Sequence, residues 1–419
     1  MAFDPRGIRR HFKRPLSVYT GREESLRHAT WLELFFDLVF VAAIAEIGTN
    51  LHHNLTLEGV LYFTGVFVLV WWVWLDYSYY ADLYAADDLI SRASLIGVMF
   101  VVIFLSQTVD GVFHGQTFVF GATMLFLRVV LTVLYLRPRP NVVTEETQGF
   151  VMTWITSEFL TTAVWGVSLL VPDPGRFGLW IAAFTINMAG VAVLYTVFDT
   201  VLVQVSHFPE RLGLITIIVL GETILAVSFG TSIVTSGADF QLEVLLVGLG
   251  GFLIAVGAWW LYFGRFDERV IDRALTAPPD RQLRARQAAL VYVFSHFFVH
   301  LGIVAAGVGL VLAIEATIAG HTLEQGARLI LCGGVASFLL GCAILQRAIP
   351  QVSDEIRFDN HVLVARLVVI GTFLALIPLA DMFSPVTLIG TIAVAFIALI
   401  GFESIVNPWV EVPPASAEV

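Results

Sequence analysis

Twelve apolar runs, each at least eighteen residues long, leave this chain almost no choice of architecture. A run of that length crosses a hydrocarbon core of about 30 Å as a helix. Inside lipid, every backbone N–H and C=O must be satisfied within the protein, so only helices or a closed barrel can span. The runs lie near 30–50, 58–78, 93–113, 117–136, 149–171, 177–199, 211–232, 243–263, 288–312, 325–346, 361–381 and 385–405. Charged residues make up 14% of the 419, against about a quarter in an ordinary globular domain. The expectation is an all-α polytopic membrane protein with about twelve transmembrane helices.

The arginines predict its orientation. Arg6, Arg9, Arg10, Lys13, Arg14, Arg22 and Arg27 precede the first run. The even-numbered connections then carry Arg92; Arg137 and Arg139; Arg211; Arg265 through Arg286; and Arg347 and Arg357, while the odd ones hold Arg176 and Arg328. That alternation puts both termini in the cytoplasm. A weak internal similarity sets Leu32-Glu33 against Gly221-Glu222, and Trp71-Trp72-Val73-Trp74 against Trp259-Trp260-Leu261-Tyr262. It predicts two parallel six-helix units, 28–205 and 206–406, related by an axis along the membrane normal. A basic cytoplasmic segment, 1–27, precedes them, and a disordered tail, 407–419, follows.

Several functions find no support in the residues. The first run is longer than a signal-peptide core and follows a polar, basic stretch, so it reads as a retained anchor. No basic patch interleaved with aromatics points to nucleic acid. No G-x-x-x-x-G-K-[ST] or G-x-S-x-G occurs. The single lysine, Lys13, lies outside the spans, which excludes a retinal-type Schiff base among them. Cys332 and Cys342 are ten residues apart on one span, too far for a disulfide. No cofactor is expected, and the predicted partners are membrane lipids and a small ion or polar solute.

Charges within the spans mark the candidate site. An ionisable side chain at the bilayer centre costs roughly 2.5–3.5 kcal/mol on insertion scales, so it needs a partner or a task. Glu33 and Asp37 stand at i and i+4 on one face of the first span, with Asp37 roughly 10 Å inside and Glu33 near the inner boundary. The seventh span opens His207-Phe208-Pro209-Glu210-Arg211, where Pro209 suits a first turn and Glu210 complements the positive helix end. Glu222 lies roughly 16 Å further in, near the midplane and on the face of Arg211, and must be paired or protonated there. Arg128 and Arg366 are intramembrane cations needing acidic or carbonyl partners, with Glu158, Asp199 and Glu403 available. The Tyr-rich stretch from Asp76 through Asp82 to Asp88 reads as an interfacial connection with a solvated end; alternatively, it gathers cations at a pore mouth. His296 and His300 have metal-compatible spacing, but His-Glu-x-x-His is absent because Phe297 follows His296, and no third ligand is evident. They are expected to be satisfied or proton-handling histidines, with no metal.

Trp31-Leu32-Glu33-Leu34-Phe35-Phe36-Asp37-Leu38-Val39-Phe40-Val41 resembles the opening helix of the bacterial low-temperature-requirement protein A family. His207-Phe208-Pro209-Glu210-Arg211 through Leu220-Gly221-Glu222, and Tyr292 through His296 to Gly309, are similar to later blocks of that family, over roughly 27–405. The resemblance implies a bacterial inner-membrane protein and delivers no activity. Glu33, Asp37, His207, Glu210, Arg211 and Glu222 carry over as motif positions only. Phe35-x-Asp37-x-Val39-Phe40 is also similar to the Phe-Ser-Asp helix of a lysosomal and bacterial potassium-channel family, with Phe36 standing where that family has serine.

The leading expectation is transport or permeation of a small ion or polar solute, with Asp37 and Glu222 on the route. The alternatives are a non-transporting membrane protein whose buried charges are structural, and an intramembrane enzyme acting on lipid through His296, His300 and the acids. Transport predicts acids facing a water-accessible cavity; a structural role predicts closed Arg–carboxylate pairs. An enzyme predicts His and acid converging within about 3 Å of a lipid-facing point.

Overall fold

The computed structural model describes residues 30–84, 88–137, 145–198, 208–235, 242–264, 280–348 and 360–406. His207, Asp199, the segment 1–27 and the tail 407–419 lie outside these. Twelve α-helices and one 3₁₀ turn make up the described secondary structure. They are α1 (Trp31–His53), α2 (Leu57–Tyr84), α3 (Leu89–Phe113), α4 (Thr117–Leu136), α5 (Glu145–Ser168) and α6 (Gly175–Val197), then α7 (Phe208–Thr235), α8 (Leu242–Phe263), α9 (Gln282–Ala319), α10 (Gln325–Ala348), α11 (Asn360–Leu379) and α12 (Pro385–Val406). Each predicted run has its helix. Nine of the twelve are by length and composition able to cross a membrane, which makes this a multi-pass membrane protein.

The ends of the helices follow from local chemistry. Thr30 and Glu33 form a reciprocal capping box at the start of α1, Glu33 Oε2 accepting from the Thr30 N–H at 2.8 Å. Glu33 is thereby tied to the helix start, as its place near the boundary predicts. Asp88 caps α3 by accepting from the Ser91 N–H. Gly320, at φ +74°, closes α9 in the left-handed conformation that glycine alone adopts without strain.

Two helices run past the predicted spans. With 38 residues α9 is about 57 Å long, far more than the hydrocarbon thickness, so its ends project beyond it. The other, α2, corrects the expectation of an interfacial connection from Asp76. The helix continues to Tyr84, and Asp76, Tyr77, Ser78, Tyr79, Tyr80 and Asp82 are buried within the protein. Those polar groups face other helices. The Tyr77 hydroxyl donates to the Leu127 carbonyl, the Tyr79 and Tyr195 hydroxyls bond each other at 2.8 Å, and Asp76 pairs with Arg128.

The centre of the bundle is the α9–α10 pair. Along α10, 72% of the spanning window is buried, against 17% along α11, so α11 presents most of its surface to lipid. Glycines set the close approach of α9 to α10. A Cβ on Gly302 would stand 2.6 Å from the Gly334 carbonyl oxygen, and one on Gly334 would stand 2.5 Å from the Ala306 nitrogen. In lipid, where the hydrophobic effect does not drive helices together, such backbone-to-backbone packing supplies the association. Around this pair α1, α2 and α7 pack on one side, and α8, α11 and α12 on another.

Candidate functional site

A buried polar layer joins α1, α2, α7 and α9. Asp37, fully buried on α1, accepts at Oδ1 from the Trp74 indole N–H of α2 and from Arg211 Nη2 of α7, both at 2.7 Å. Arg211 lies over the rings of Phe36 and Trp74, each 5.9 Å from the guanidinium carbon. Weak hydration and a flat shape make Arg suited to such a stacked, dry pair. Asp37 Oδ2 and Arg211 Nε and Nη1 have no hydrogen-bond partner among the described residues.

One helical turn along α9, His300 completes the layer. Its Nδ1 faces the Trp71 indole N–H at 3.0 Å and its Nε2 faces Thr216 Oγ1 at 2.8 Å. Because indole only donates, Nδ1 is the acceptor and Nε2 carries the proton. The Thr216 hydroxyl passes its own proton to the Leu212 carbonyl at 2.7 Å, so it is free to accept from His300. The network assigns a neutral ring. His296 is the complementary tautomer: Nδ1 donates to the Tyr292 carbonyl and Nε2 accepts from the Tyr262 hydroxyl, both at 2.8 Å. Both histidines are thus engaged inside the protein, and neither bonds an acid. Among the described residues no group of three or more His, Cys, Asp or Glu is placed to hold a metal.

Directly beyond this layer, a cavity of about 400 Å³ opens between α1, α7 and α9. Its innermost residues are Val41, Val219 and Val304. Each lies within about 6 Å along its helix of Asp37, Thr216 or His300, so the polar layer lies about one turn beneath the valines of its floor. Glu222 and Thr223 stand on its wall, and Glu315, His52 and His53 lie toward the end where α1 finishes. The lining carries two carboxylates and no Lys or Arg. Glu315 is held by His52, Nε2 to Oε2 at 2.9 Å. Glu222 is half-buried and has no hydrogen bond or ion pair with a described residue. Gly307 lets α9 pack closely on α7 beside it, since a Cβ there would stand 3.1 Å from Thr223 Oγ1.

The remaining buried charges close on themselves. Arg366 of α11 and Glu403 of α12 form a two-pronged pair, Nε–Oε1 2.6 Å and Nη2–Oε2 3.0 Å. Arg128 of α4 meets Asp76 of α2 and, at 3.4 Å, Glu158 of α5. Two of the three acids proposed as partners for Arg128 and Arg366 are therefore found. Glu210 begins α7 beside Arg211 and is half-buried. Asp82 lies buried near the end of α2 and contributes to the field at Arg211.

The sequence alone did not single out Trp71 and Trp74 as donors, Thr216 as the seat of His300, Asp76 as a buried acid, or Glu315 and His52 at the cavity mouth. One signal was available. Trp71 and Trp74, at i and i+3, share a helix face, and indoles buried away from the interface need acceptors.

Residues 28–401 match the family described as bacterial low temperature requirement A protein (LtrA). An uncharacterised protein of Rhizobium meliloti (strain 1021) is 28% identical over 342 residues, covering 77% of this chain and 78% of that protein. No solved structure matches the chain.

Proposed function

The chain belongs to the bacterial low temperature requirement A family, and for this member we propose transport of a small cation through the cavity between α1, α7 and α9. Glu222 is the cation-binding carboxylate, and the Asp37–Arg211–Trp74 layer closes the route beneath it. The observation that carries the proposal is Glu222 itself: a half-buried carboxylate in the middle of α7, with no countercharge among the described residues, on the wall of a cavity large enough for water. A carboxylate in that setting is costly unless it meets a cation or proton there. Two acids and no basic side chain on the wall favour cations over anions. With both termini cytoplasmic, as the arginines predict, the cavity opens outward and the sealing layer lies on the cytoplasmic side.

Closed pairs such as Arg366–Glu403 support a purely structural role for the buried charges, and they account for most of them. They leave Glu222 without a role. An enzyme acting on lipid draws less support, because His296 and His300 have both ring nitrogens engaged inside the bundle.

The test is flux of monovalent and divalent cations and protons into liposomes holding the purified protein, native or Glu222→Gln. The expected result is flux in the native protein and loss of most of it in the folded variant. Equal flux in the two, or no flux of any of these ions, overturns the proposal.

A further inference from the structure

The charge pair on α2 and α4 contains one acid too many. Asp76 and Glu158 are 0% and 1% exposed, and Arg128, the one cation either carboxylate pairs with among the described residues, is 2% exposed. With all three ionised the cluster carries a net charge of −1. An uncompensated charge in the dry interior of a membrane bundle is costly even after relaxation, and such a group neutralises instead.

The neighbours do not supply the missing charge. From α2, the Trp72 indole faces Asp76 without a hydrogen bond of normal geometry, and Tyr77 sends its hydroxyl to the Leu127 carbonyl. From α4, the Tyr135 hydroxyl donates to the Asp76 backbone carbonyl at 3.3 Å, not to its carboxylate. From α6, the Asn187 side-chain amide donates to Glu158 Oε1 at 2.6 Å. Arg128 therefore holds Asp76 closely by Oδ2 and Glu158 only loosely by Oε2. Asp76 Oδ1 is wholly buried and accepts no hydrogen bond from a described residue. A buried carboxylate oxygen with no hydrogen bond of normal geometry, beside a second carboxyl group, is where a proton belongs.

We propose that Asp76 and Glu158 form a proton-binding site, holding one proton between them against Arg128. Uptake forms one carboxyl O–H bond and neutralises the cluster; release returns the proton to water and leaves a single negative charge. The proton belongs to the pair, as for any two carboxyls this strongly coupled. The site stands apart from the cation cavity but touches its floor through one helix. Asp76 is two residues from Trp74, the donor that holds Asp37. A proton leaving the pair changes the load on α2 where α2 closes the floor.

Infrared spectroscopy of the whole protein in lipid tests this, following the C=O stretch of protonated carboxyl groups in H₂O and D₂O across pH. The native protein should show a protonated-carboxyl component at neutral pH that shifts in D₂O. Glu222→Gln, which removes any signal of that unpaired acid, should keep such a component, as should Asp37→Asn. In the Glu222→Gln background, Asp76→Asn and Glu158→Gln should each remove it whole, because either leaves one acid against one Arg. A native spectrum without a protonated carboxyl overturns the proposal with no variant needed. A component that vanishes with Glu222→Gln, or that survives in that background in either folded cluster variant, also overturns it. None of these outcomes depends on whether the protein conducts cations.

Discussion

Asp37 and Glu222 are acids on the neighbouring helices α1 and α7, yet they are in opposite situations. Asp37 is fully buried, gripped by an indole and a guanidinium. Glu222 is half-buried, borders a cavity and has neither. The difference lies in where Arg211 points. It begins α7, and its side chain turns toward α1 beneath the cavity floor, so the one cation on the shared face of α7 is spent on Asp37. In a membrane, an acid with an Arg is architecture and an acid without one is available for a ligand.

The largest effect should come from breaking the closed partner. Arg211→Met leaves Asp37 as a buried carboxylate with one hydrogen bond, and removing one member of a buried pair typically costs about 3–5 kcal/mol. Adding Asp37→Asn to that variant should recover a substantial part, because two neutral side chains replace one orphaned charge. Unfolding in graded denaturing detergent measures both. A single variant as stable as the native protein would show that Asp37 is not ionised in the pair and would remove the contrast with Glu222.

Next in size is Trp74→Phe. The ring under Arg211 is kept while the N–H that holds Asp37 is lost, and hydrogen bonds to charged groups contribute about 1.5–3 kcal/mol. Because Trp74 also closes the floor, the same variant should raise cation leak through liposomes. Reduced stability without added leak would confine the layer to a structural role.

How much of this was visible in the sequence depends on whether the information is local. Each helix was legible because a span needs its own apolar run. The end of α2 was not, since the polar residues from Asp76 to Asp82 look like a wet connection until Arg128, Leu127 and Tyr195 are placed around them. Asp37 and Glu222 were legible as anomalies. Their difference was not, because it rests on a partner 174 residues from Asp37 and on the empty space beside Glu222. His296 and His300 do share a face, as their spacing predicts, but their engaged state comes from Trp71, Thr216 and Tyr262 on other helices.

A smaller effect should appear where the same pair type sits outside the spans. Asp88, capping α3, takes two prongs from Arg137 and the Ser91 N–H. Burial pushes its carboxyl up, but the hydrogen bonds from Arg137 and Ser91 outweigh this and hold it below the ordinary carboxylate value. A lowered value in the folded state means the pair stabilises fully above the unfolded value of about 3.9 and is lost as pH falls through the folded one. Asp88→Asn keeps the cap and removes the charge, so it should cost about 1 kcal/mol or less at neutral pH and flatten the acid limb of stability. An acid limb identical to that of the native protein would place the pH dependence elsewhere.

The smallest change in stability belongs to Glu222→Gln, and the comparison with Asp37 turns on its being small. A side chain with no partner among the described residues loses none when its charge is removed, so the variant should unfold within about 0.5 kcal/mol of the native protein. If Glu222 repels its surroundings while ionised, neutralising it is slightly stabilising. A loss of several kcal/mol would reveal a countercharge holding Glu222, and the acid would then belong with Asp37 and Glu403 among the closed pairs. Unchanged stability together with lost flux is the one combination that architecture alone does not produce. It requires a carboxylate whose partner arrives from the cavity.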